Sequence, residues 1–450
     1  MVIRGLCRGK RRFEEEKGAI MGETFRLRTS GAKPVPVRGQ LIAALDVGSS
    51  KIACLIGRTE MGALNILGSA LHESRGIRSG AVIGLDLAEE SIRHTVETAE
   101  QLAEQRVQDV IVSVQCGQTK SISALAELDV GGALVSDAHI RELLIQGKAA
   151  CREEGFETIQ ASPTGYVVDD LRGVDDPRGM FCERLGVRIH AVAVRSGPLH
   201  NLRLAVERCH LNIARLICAP YASALSTLTA DEMSLGCTLI DLGAGTTSIA
   251  VFMDGALVYA DAVPLGGHHV TSDIARMFST PLAAAERIKS LYGSALGDLE
   301  VGTDMIEVPQ MGEEGEEYDR PGQRVRRSLV TRIIQSRMEE ILGEVQSRLR
   351  KTGFDVAAGR RLVLTGGGCQ LASVRELAGR VMNKQVRLGR PQTFPGLAAA
   401  TAGPAYANAL GLMISGATIS PETHAPVTRD HSEPSRRSGL VRWLGGGLFG

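Results

Sequence analysis

The sequence predicts an α/β protein made of two duplicated halves, with a small α+β unit inserted in the first. Three observations carry that prediction. One is a glycine loop led by an aspartate, Leu45-Asp46-Val47-Gly48-Ser49-Ser50-Lys51. The second is a loop of the same kind, Ile240-Asp241-Leu242-Gly243-Ala244-Gly245-Thr246-Thr247. The third is a change of texture between them. Each loop follows an apolar run (Leu41 to Leu45, Cys237 to Ile240) and leads at once into another (Ile52 to Ile56, Ile249 to Phe252). That pattern marks the tip of a strand-turn-strand hairpin, not the strand-to-helix turn of a dinucleotide fold.

The remaining elements follow in order. A short strand around Leu64 to Gly68 succeeds the first hairpin. A helix is predicted over about Leu87 to Gln105, where Ile92, Val96, Ala99 and Leu102 recur at helical spacing, and a strand over Val110 to Val114. From Ser121 to Val194 short strands surround one helix, Ser136 to Glu154, with Ser136 or Asp137 as its N-cap. This is the inserted unit. A helix over Pro198 to Cys209 precedes the second hairpin, and another spans 281–293. Glu313 to Asp319 is an acidic loop, and Arg332 to Arg350 a long amphipathic helix. The strand Leu362 to Leu364 runs into Gly366-Gly367-Gly368, before helices at about Leu371 to Met382 and Ala405 to Ser415.

Composition narrows the classes. Of 450 residues 44% are hydrophobic, enough for large cores, and Lys+Arg and Asp+Glu both total 51, so no global field favours nucleic acid. The nine cysteines include no CxxC pair, which argues against a zinc site and for small core residues in a reducing cytosol. The first 38 residues carry ten Lys/Arg and no signal-peptide pattern; they read as a basic arm, or as an overlong start with Met21 as alternative initiator. Pro391 to Pro421 lacks formal charge but is broken by Pro395, Pro404 and Asn408, so it reads as buried loop and helix rather than a membrane span.

Two facing hairpin tips would surround a polyphosphate with backbone N–H groups, because glycine lets the chain come close to phosphate oxygens. Gly48, Gly243 and Gly245 would make that approach, and Ser49, Ser50, Thr246 and Thr247 would add hydroxyl donors. Lys51 would set a cation against the terminal phosphates. Asp46 and Asp241 would flank Mg²⁺, through water. Gly366, Gly367 and Gly368 could lie flat against a purine, while Glu286 and Lys289, three apart on one helix face, could bond a ribose.

With these residues, and with Ser74-Arg75-Gly76-Ile77-Arg78-Ser79-Gly80, Ile306-Glu307-Val308-Pro309 and Leu364-Thr365-Gly366-Gly367-Gly368, the chain resembles the actin/Hsp70/sugar-kinase ATPases, and among them the FtsA family of bacterial cell division over about residues 40–416. The resemblance implies an actin-like fold binding ATP and Mg²⁺. After the basic arm (1–39) that composition suggests, it implies subdomain 1A (40–107, completed by 196–235 and 402–416); an inserted subdomain 1C (108–195) that contacts other protomers in filaments; 2A (236–275, completed by 355–401); 2B (276–354); and, beyond a Pro- and Ser-rich flexible linker (417–437), a membrane-targeting tail (438–450). Actin-like ATPases that hydrolyse well carry an acidic or amide side chain on the helix before the second hairpin. The matching stretch here, Cys218-Ala219-Pro220-Tyr221-Ala222-Ser223, has neither, so the expected role is at most that of a weak ATPase with ATP mainly structural.

The tail holds the one tryptophan, Trp443. As a helix, Leu440, Val441, Trp443, Leu444 and Leu448 form a stripe with Phe449 at its edge, suited to a lipid interface. Gly445, Gly446 and Gly447 each cost about 1 kcal/mol of helix stability. Six partly buried apolar side chains return roughly 1 kcal/mol each, so one copy anchors weakly, by about 3 kcal/mol. Firm attachment then needs many copies on one polymer. The family resemblance also implies that Arg337, with Arg332 as its neighbour, contacts the acidic, apolar C-terminal tail of FtsZ. The implied role is a polymerising protein on the cytoplasmic face of the inner membrane that tethers the FtsZ ring and helps recruit later division proteins. The alternatives are a sugar or small-molecule kinase of the same superfamily, which needs a catalytic Asp facing a second substrate, a type IV pilus assembly relative, and a chaperone of Hsp70 type.

Overall fold

The computed structural model describes residues 35–36, 39–60, 63–115, 118–297, 304–311 and 323–419. The basic arm before residue 35, the acidic loop Glu313–Asp319, the linker beyond 419 and the tail with Leu440, Val441, Trp443, Leu444, Leu448 and Phe449 lie outside the described residues.

Each half is built on one five-stranded sheet, and the two sheets share one topology. In the first, β1 (Leu41–Val47), β2 (Lys51–Glu60) and β3 (Ala63–Glu73) form an antiparallel meander. On the other side of β1 lie β4 (Asp109–Val114) and β9 (Asn212–Cys218), both parallel. In the second, β10 (Cys237–Leu242), β11 (Thr247–Met253) and β12 (Ala256–Val263) form the meander, and β13 (Arg361–Thr365) and β14 (Gln385–Leu388) add in parallel beside β10. The strand at the centre of each sheet is buried on both faces, which is why β1 and β10 read as unbroken apolar runs rather than alternating ones.

Between β4 and β9 stands a separate antiparallel sheet, in the order β7 (Leu171–Val174), β6 (Phe156–Val168), β8 (Phe181–Arg195), β5 (Thr119–Leu134). Helix α2 (Asp137–Ala150) covers it, burying Ile140, Leu143 and Leu144 in one cluster with Leu185, Val187 and Ile189. Its start is fixed by a capping box: Ser136 Oγ accepts the His139 N–H, and His139 Nδ1 accepts the Ser136 N–H at 3.3 Å.

This unit also touches the second half. Ser121 Oγ donates to the Ala260 carbonyl at 2.9 Å and accepts the Ala260 N–H at 2.7 Å, so one hydroxyl satisfies both backbone groups of an edge-strand residue of β12. His190 Nε2, buried on β8, lies 3.0 Å from the same oxygen.

The helices α1 (Leu85–Ala103), α3 (Ser196–Glu207), α4 (Ala219–Thr227), α5 (Ala230–Leu235), α6 (Gly267–Phe278), α7 (Leu282–Tyr292), α8 (Arg327–Lys351), α9 (Phe354–Ala357), α10 (Val374–Met382) and α11 (Ala407–Ala417) pack around the sheets. Several limits differ from the sequence reading. The inserted unit's strands β5, β6 and β8 are long, at 16, 13 and 15 residues, rather than short, and α2 ends at Ala150 rather than Glu154. Helix α8 begins at Arg327 rather than Arg332, because a strand at Gln323–Arg326 runs straight into it with no capping side chain to mark the turn. The helix predicted from Leu371 is a 3-10 turn at Gly367–Gln370 followed by α10 from Val374, since Ser373 is left-handed (φ 58°) and separates them.

Candidate functional site

Asp46 and Asp241 are each the penultimate residue of their strand, β1 and β10. Each hairpin tip is closed the same way: Gly48 N–H donates to the Lys51 carbonyl at 3.1 Å, and Gly243 N–H to the Thr246 carbonyl at 3.0 Å. Asp46 is buried, and its side-chain donors converge on Oδ1: Ser113 Oγ at 2.7 Å, Asn408 Nδ2 at 2.8 Å and Gln115 Nε2 at 3.5 Å. Burial raises its pKa, opposed by the Ser113 hydroxyl, the Lys51 charge and the Asn408 amide. Asp241 Oδ2 accepts from Ser223 Oγ of α4 at 2.6 Å. Its pKa is pushed up to about 6, first by burial and then by the charge of Asp46, against the Ser223 hydroxyl and Lys51. Asp241 therefore feels the charge of Asp46 across one cleft.

Lys51 is their shared counter-ion. Burial lowers its pKa while Asp46 and Asp241 both raise it, and its Nζ lies 4.1 Å from the centre of the Tyr406 ring. The tips themselves meet: a Cβ added at Gly245 would come within 2.5 Å of Ser49 Oγ, the oxygen that also accepts the Gly80 N–H at 2.9 Å. Thr246 Oγ1 donates across the cleft to Gln115 Oε1 at 3.3 Å. Gly366, at φ 85°, lies so close behind the second aspartate that a Cβ there would stand 2.2 Å from Asp241 Oδ1; its N–H donates to the Pro404 carbonyl at 3.2 Å. Gly368 lies against Leu242, and Gly367 faces more open space.

The other sequence candidates divide. Ser50 is exposed at its tip. Thr247 is buried, with its hydroxyl donating to the Leu265 carbonyl at 2.8 Å rather than turned to the cleft. Glu286 and Lys289 pair at 2.7 Å on α7, and Lys289 Nζ also reaches Thr271 Oγ1 at 2.9 Å and the Gly267 carbonyl at 3.3 Å. They stand beside the second hairpin because Gly267 and His268, at the start of α6, donate to the carbonyls of Gly243 and Ala244. Arg337 lies apart from the cleft, on α8, where it forks onto Asp273 (Nε to Oδ2 at 2.6 Å, Nη2 to Oδ1 at 3.1 Å) and bonds Glu340. Arg332 is exposed.

Sequence reasoning missed Ser113, Gln115, Tyr406 and Asn408. Ser113 and Asn408 share a readable signal, a lone polar residue inside an apolar run. Ser223 stands out in the sequence only as part of a stretch without a carboxylate or amide, whereas its hydroxyl holds Asp241.

The residues fit a hydrated divalent cation. A buried carboxylate, Asp46, and a half-buried one, Asp241, share one cleft, and Asn408 Oδ1 is a buried acceptor without a partner. Among the described residues no cluster of three or more His, Cys, Asp or Glu could hold a metal by itself. A pair of carboxylates suits Mg²⁺, which keeps waters and takes its other ligands from phosphate. A groove of about 580 Å³, lined by Gln370, Leu371, Arg375, Arg390 and Pro404 among others, opens beyond the Gly366–Gly368 turn and not between the aspartates.

A family model described as "Cell division protein FtsA" matches residues 238–411, and one described as "SHS2 domain inserted in FTSA" matches residues 116–193. The cell division protein FtsA of Agrobacterium fabrum is 41% identical over 419 residues, covering 91% of this chain and 94% of the relative. The chain belongs to the FtsA family. The FtsA of Escherichia coli is 30% identical over 382 residues, 83% of this chain and 90% of that one. Among solved structures, a PilM-PilN type IV pilus biogenesis complex superposes with a TM-score of 0.59 at 16% identity, over 84% of this chain and 98% of that one, a likeness of fold alone. The fold is thus that of the actin-like ATPases, which implies a nucleotide ligand, and the FtsA family places the chain among division-site proteins. The family match favours neither the kinase nor the pilus alternative. Among the described residues no helix is long and apolar enough to cross a membrane.

Proposed function

We propose that this FtsA-family chain binds ATP with Mg²⁺ between Asp46 and Asp241, polymerises through its inserted unit on the cytoplasmic face of the inner membrane, and tethers the FtsZ ring there while later division proteins gather. The observation that carries the nucleotide reading is the contact of the two hairpin tips, with the Lys51 charge acting on both aspartates and the Asp46 charge acting on Asp241. Bound Mg²⁺ would neutralise a carboxylate pair that burial otherwise disfavours. The backbone at Gly245 and the hydroxyls of Ser49 and Thr246 line the phosphate end, while the Gly48 and Gly243 N–H groups are spent closing their own turns, so these two glycines serve by close approach and not as donors; Gly366 to Gly368, Glu286 and Lys289 lie on the nucleoside side. Helix α4 brings only a hydroxyl to Asp241, which supports slow hydrolysis and a mainly structural nucleotide.

Arg337 would serve the FtsZ tail only by sharing or exchanging the Asp273 and Glu340 carboxylates for those of the peptide, with exposed Arg332 as a neighbouring charge. Arg337→Glu is expected to weaken FtsZ tail-peptide binding at least about tenfold. Because the same change sets a new carboxylate against Asp273 and Glu340, Arg337→Gln should show a smaller loss, and circular dichroism should show both variants folded. Unaltered peptide affinity in both would reject the assignment. Liposome flotation tests the tether: deletion of residues 438–450 should abolish co-flotation, and the intact chain should float more completely as its concentration rises through polymer formation. Indifference to the deletion would remove the tether.

A further inference from the structure

We propose that Gln115 is the water-positioning residue of this site and supplies the amide that α4 lacks; the inference rests on the Mg·ATP reading above. Gln115 follows the last residue of β4, where the chain leaves the first sheet for the inserted unit. Its backbone is wedged, since a Cβ on Gly80 would meet the Gln115 carbonyl at 2.5 Å. Its side chain is half-buried and reaches across the cleft mouth, donating to Asp46 Oδ1 at 3.5 Å and accepting from Thr246 Oγ1 at 3.3 Å. One carboxamide thereby links the two aspartate loops.

The bond lengths separate Gln115 from its neighbours. Ser113, Asn408 and Ser223 hold the aspartates at 2.7, 2.8 and 2.6 Å, which fixes them as supports. Both Gln115 contacts, at 3.5 and 3.3 Å, are longer than ordinary hydrogen bonds, so its carboxamide is loosely held and exchanges partners at small cost. Lys51, the cation of the cleft, has donors only and cannot accept a hydrogen bond from water. Gln115 offers an acceptor and a donor on one rigid plane, beside the loop whose Thr246 would face the terminal phosphate.

In the step this serves, the water oxygen forms a bond to the γ-phosphorus as the bond from that phosphorus to the β,γ-bridging oxygen breaks. ADP keeps the bonding electron pair, and the proton of the water passes to a phosphate oxygen and then to solvent. Gln115 Oε1 accepts a hydrogen bond from the water and holds its lone pair on the line of attack; it takes no proton. Positioning by a loosely held amide from outside α4, with no base to take the proton, fits the slow turnover proposed above.

The test is single-turnover ATP hydrolysis by the full chain, beside equilibrium binding of a non-hydrolysable ATP analogue. Gln115→Ala is expected to hydrolyse at least about tenfold more slowly, with analogue affinity within about threefold of wild type. Gln115→Glu, which keeps the acceptor, should recover much of the rate at saturating Mg²⁺. A wild-type rate in Gln115→Ala, or a loss of analogue binding that matches the loss of rate, would overturn the assignment while leaving the nucleotide reading standing. A wild-type chain that binds no analogue would overturn both.

Discussion

Gly366→Ala is expected to remove nucleotide binding while leaving most of the fold in place. The new methyl would stand 2.2 Å from Asp241 Oδ1 and 2.7 Å from the Leu242 carbonyl, and neither neighbour can yield cheaply. Asp241 is held by Ser223, and Leu242 ends a strand paired on both sides. The backbone at Gly366 adds its own demand: φ 85° with ψ 171° is a region reserved for glycine, costing on the order of 1–3 kcal/mol for any other residue. Relief comes by swinging Asp241 off Ser223 or by lifting the glycine turn from the hairpin, and either change dismantles the cation side of the cleft. We expect affinity for a fluorescent ATP analogue to fall at least about a hundredfold, since every 1.4 kcal/mol is about tenfold. Circular dichroism should show the secondary structure largely kept. Wild-type affinity in Gly366→Ala would mean that the turn does not border the ligand.

The second large effect is acid weakening of the joint between the inserted unit and the second half. Burial pushes the His190 imidazole down from 6.5 to about 4. The unfolded or undocked chain therefore binds more protons than the docked one between those values, and stability rises with pH across that window. Full stability is present above pH 6.5, and about 3 kcal/mol of it is lost as pH falls to about 4, at about 1.4 kcal/mol for each pH unit crossed. A chain with several cores has no single unfolding midpoint, so a local probe is preferable. The Ala260 amide, which donates to Ser121 Oγ beside His190, is that probe. Its hydrogen-exchange protection, corrected for intrinsic rate, should drop about a hundredfold from pH 7 to 4 in the wild type. In His190→Gln it should be nearly flat over the same range. A flat wild-type profile would show that the joint does not bury the neutral imidazole.

The fold class was readable because each half repeats one signal, an aspartate-glycine turn between two apolar runs, and a duplication leaves few ways to arrange the halves. The shared sheet order, with its meander on one side of the central strand and two parallel strands on the other, follows from that repeat. Elements whose limits depend on tertiary contact were harder to read. The early start of α8 carries no cap, and the break before α10 depends on a left-handed serine. At the site, the hairpin residues announce themselves by glycine and charge. The residues that orient them do not, because Ser113 and Gln115, Ser223, and Asn408 come from three separate stretches and meet the aspartates only when the sheet and helices pack. Arg337 shows the converse: a cation that reads as available in sequence is already forked onto Asp273.

The most direct test of the central claim is equilibrium titration of the chain with a fluorescent ATP analogue, with and without Mg²⁺, in the wild type and in Asp46→Asn and Asp241→Asn. If both halves close on one Mg·nucleotide, the stoichiometry is one per chain, binding tightens with Mg²⁺, and each Asn variant loses most of that Mg²⁺ dependence. Binding indifferent to Mg²⁺ and to both substitutions would contradict the account.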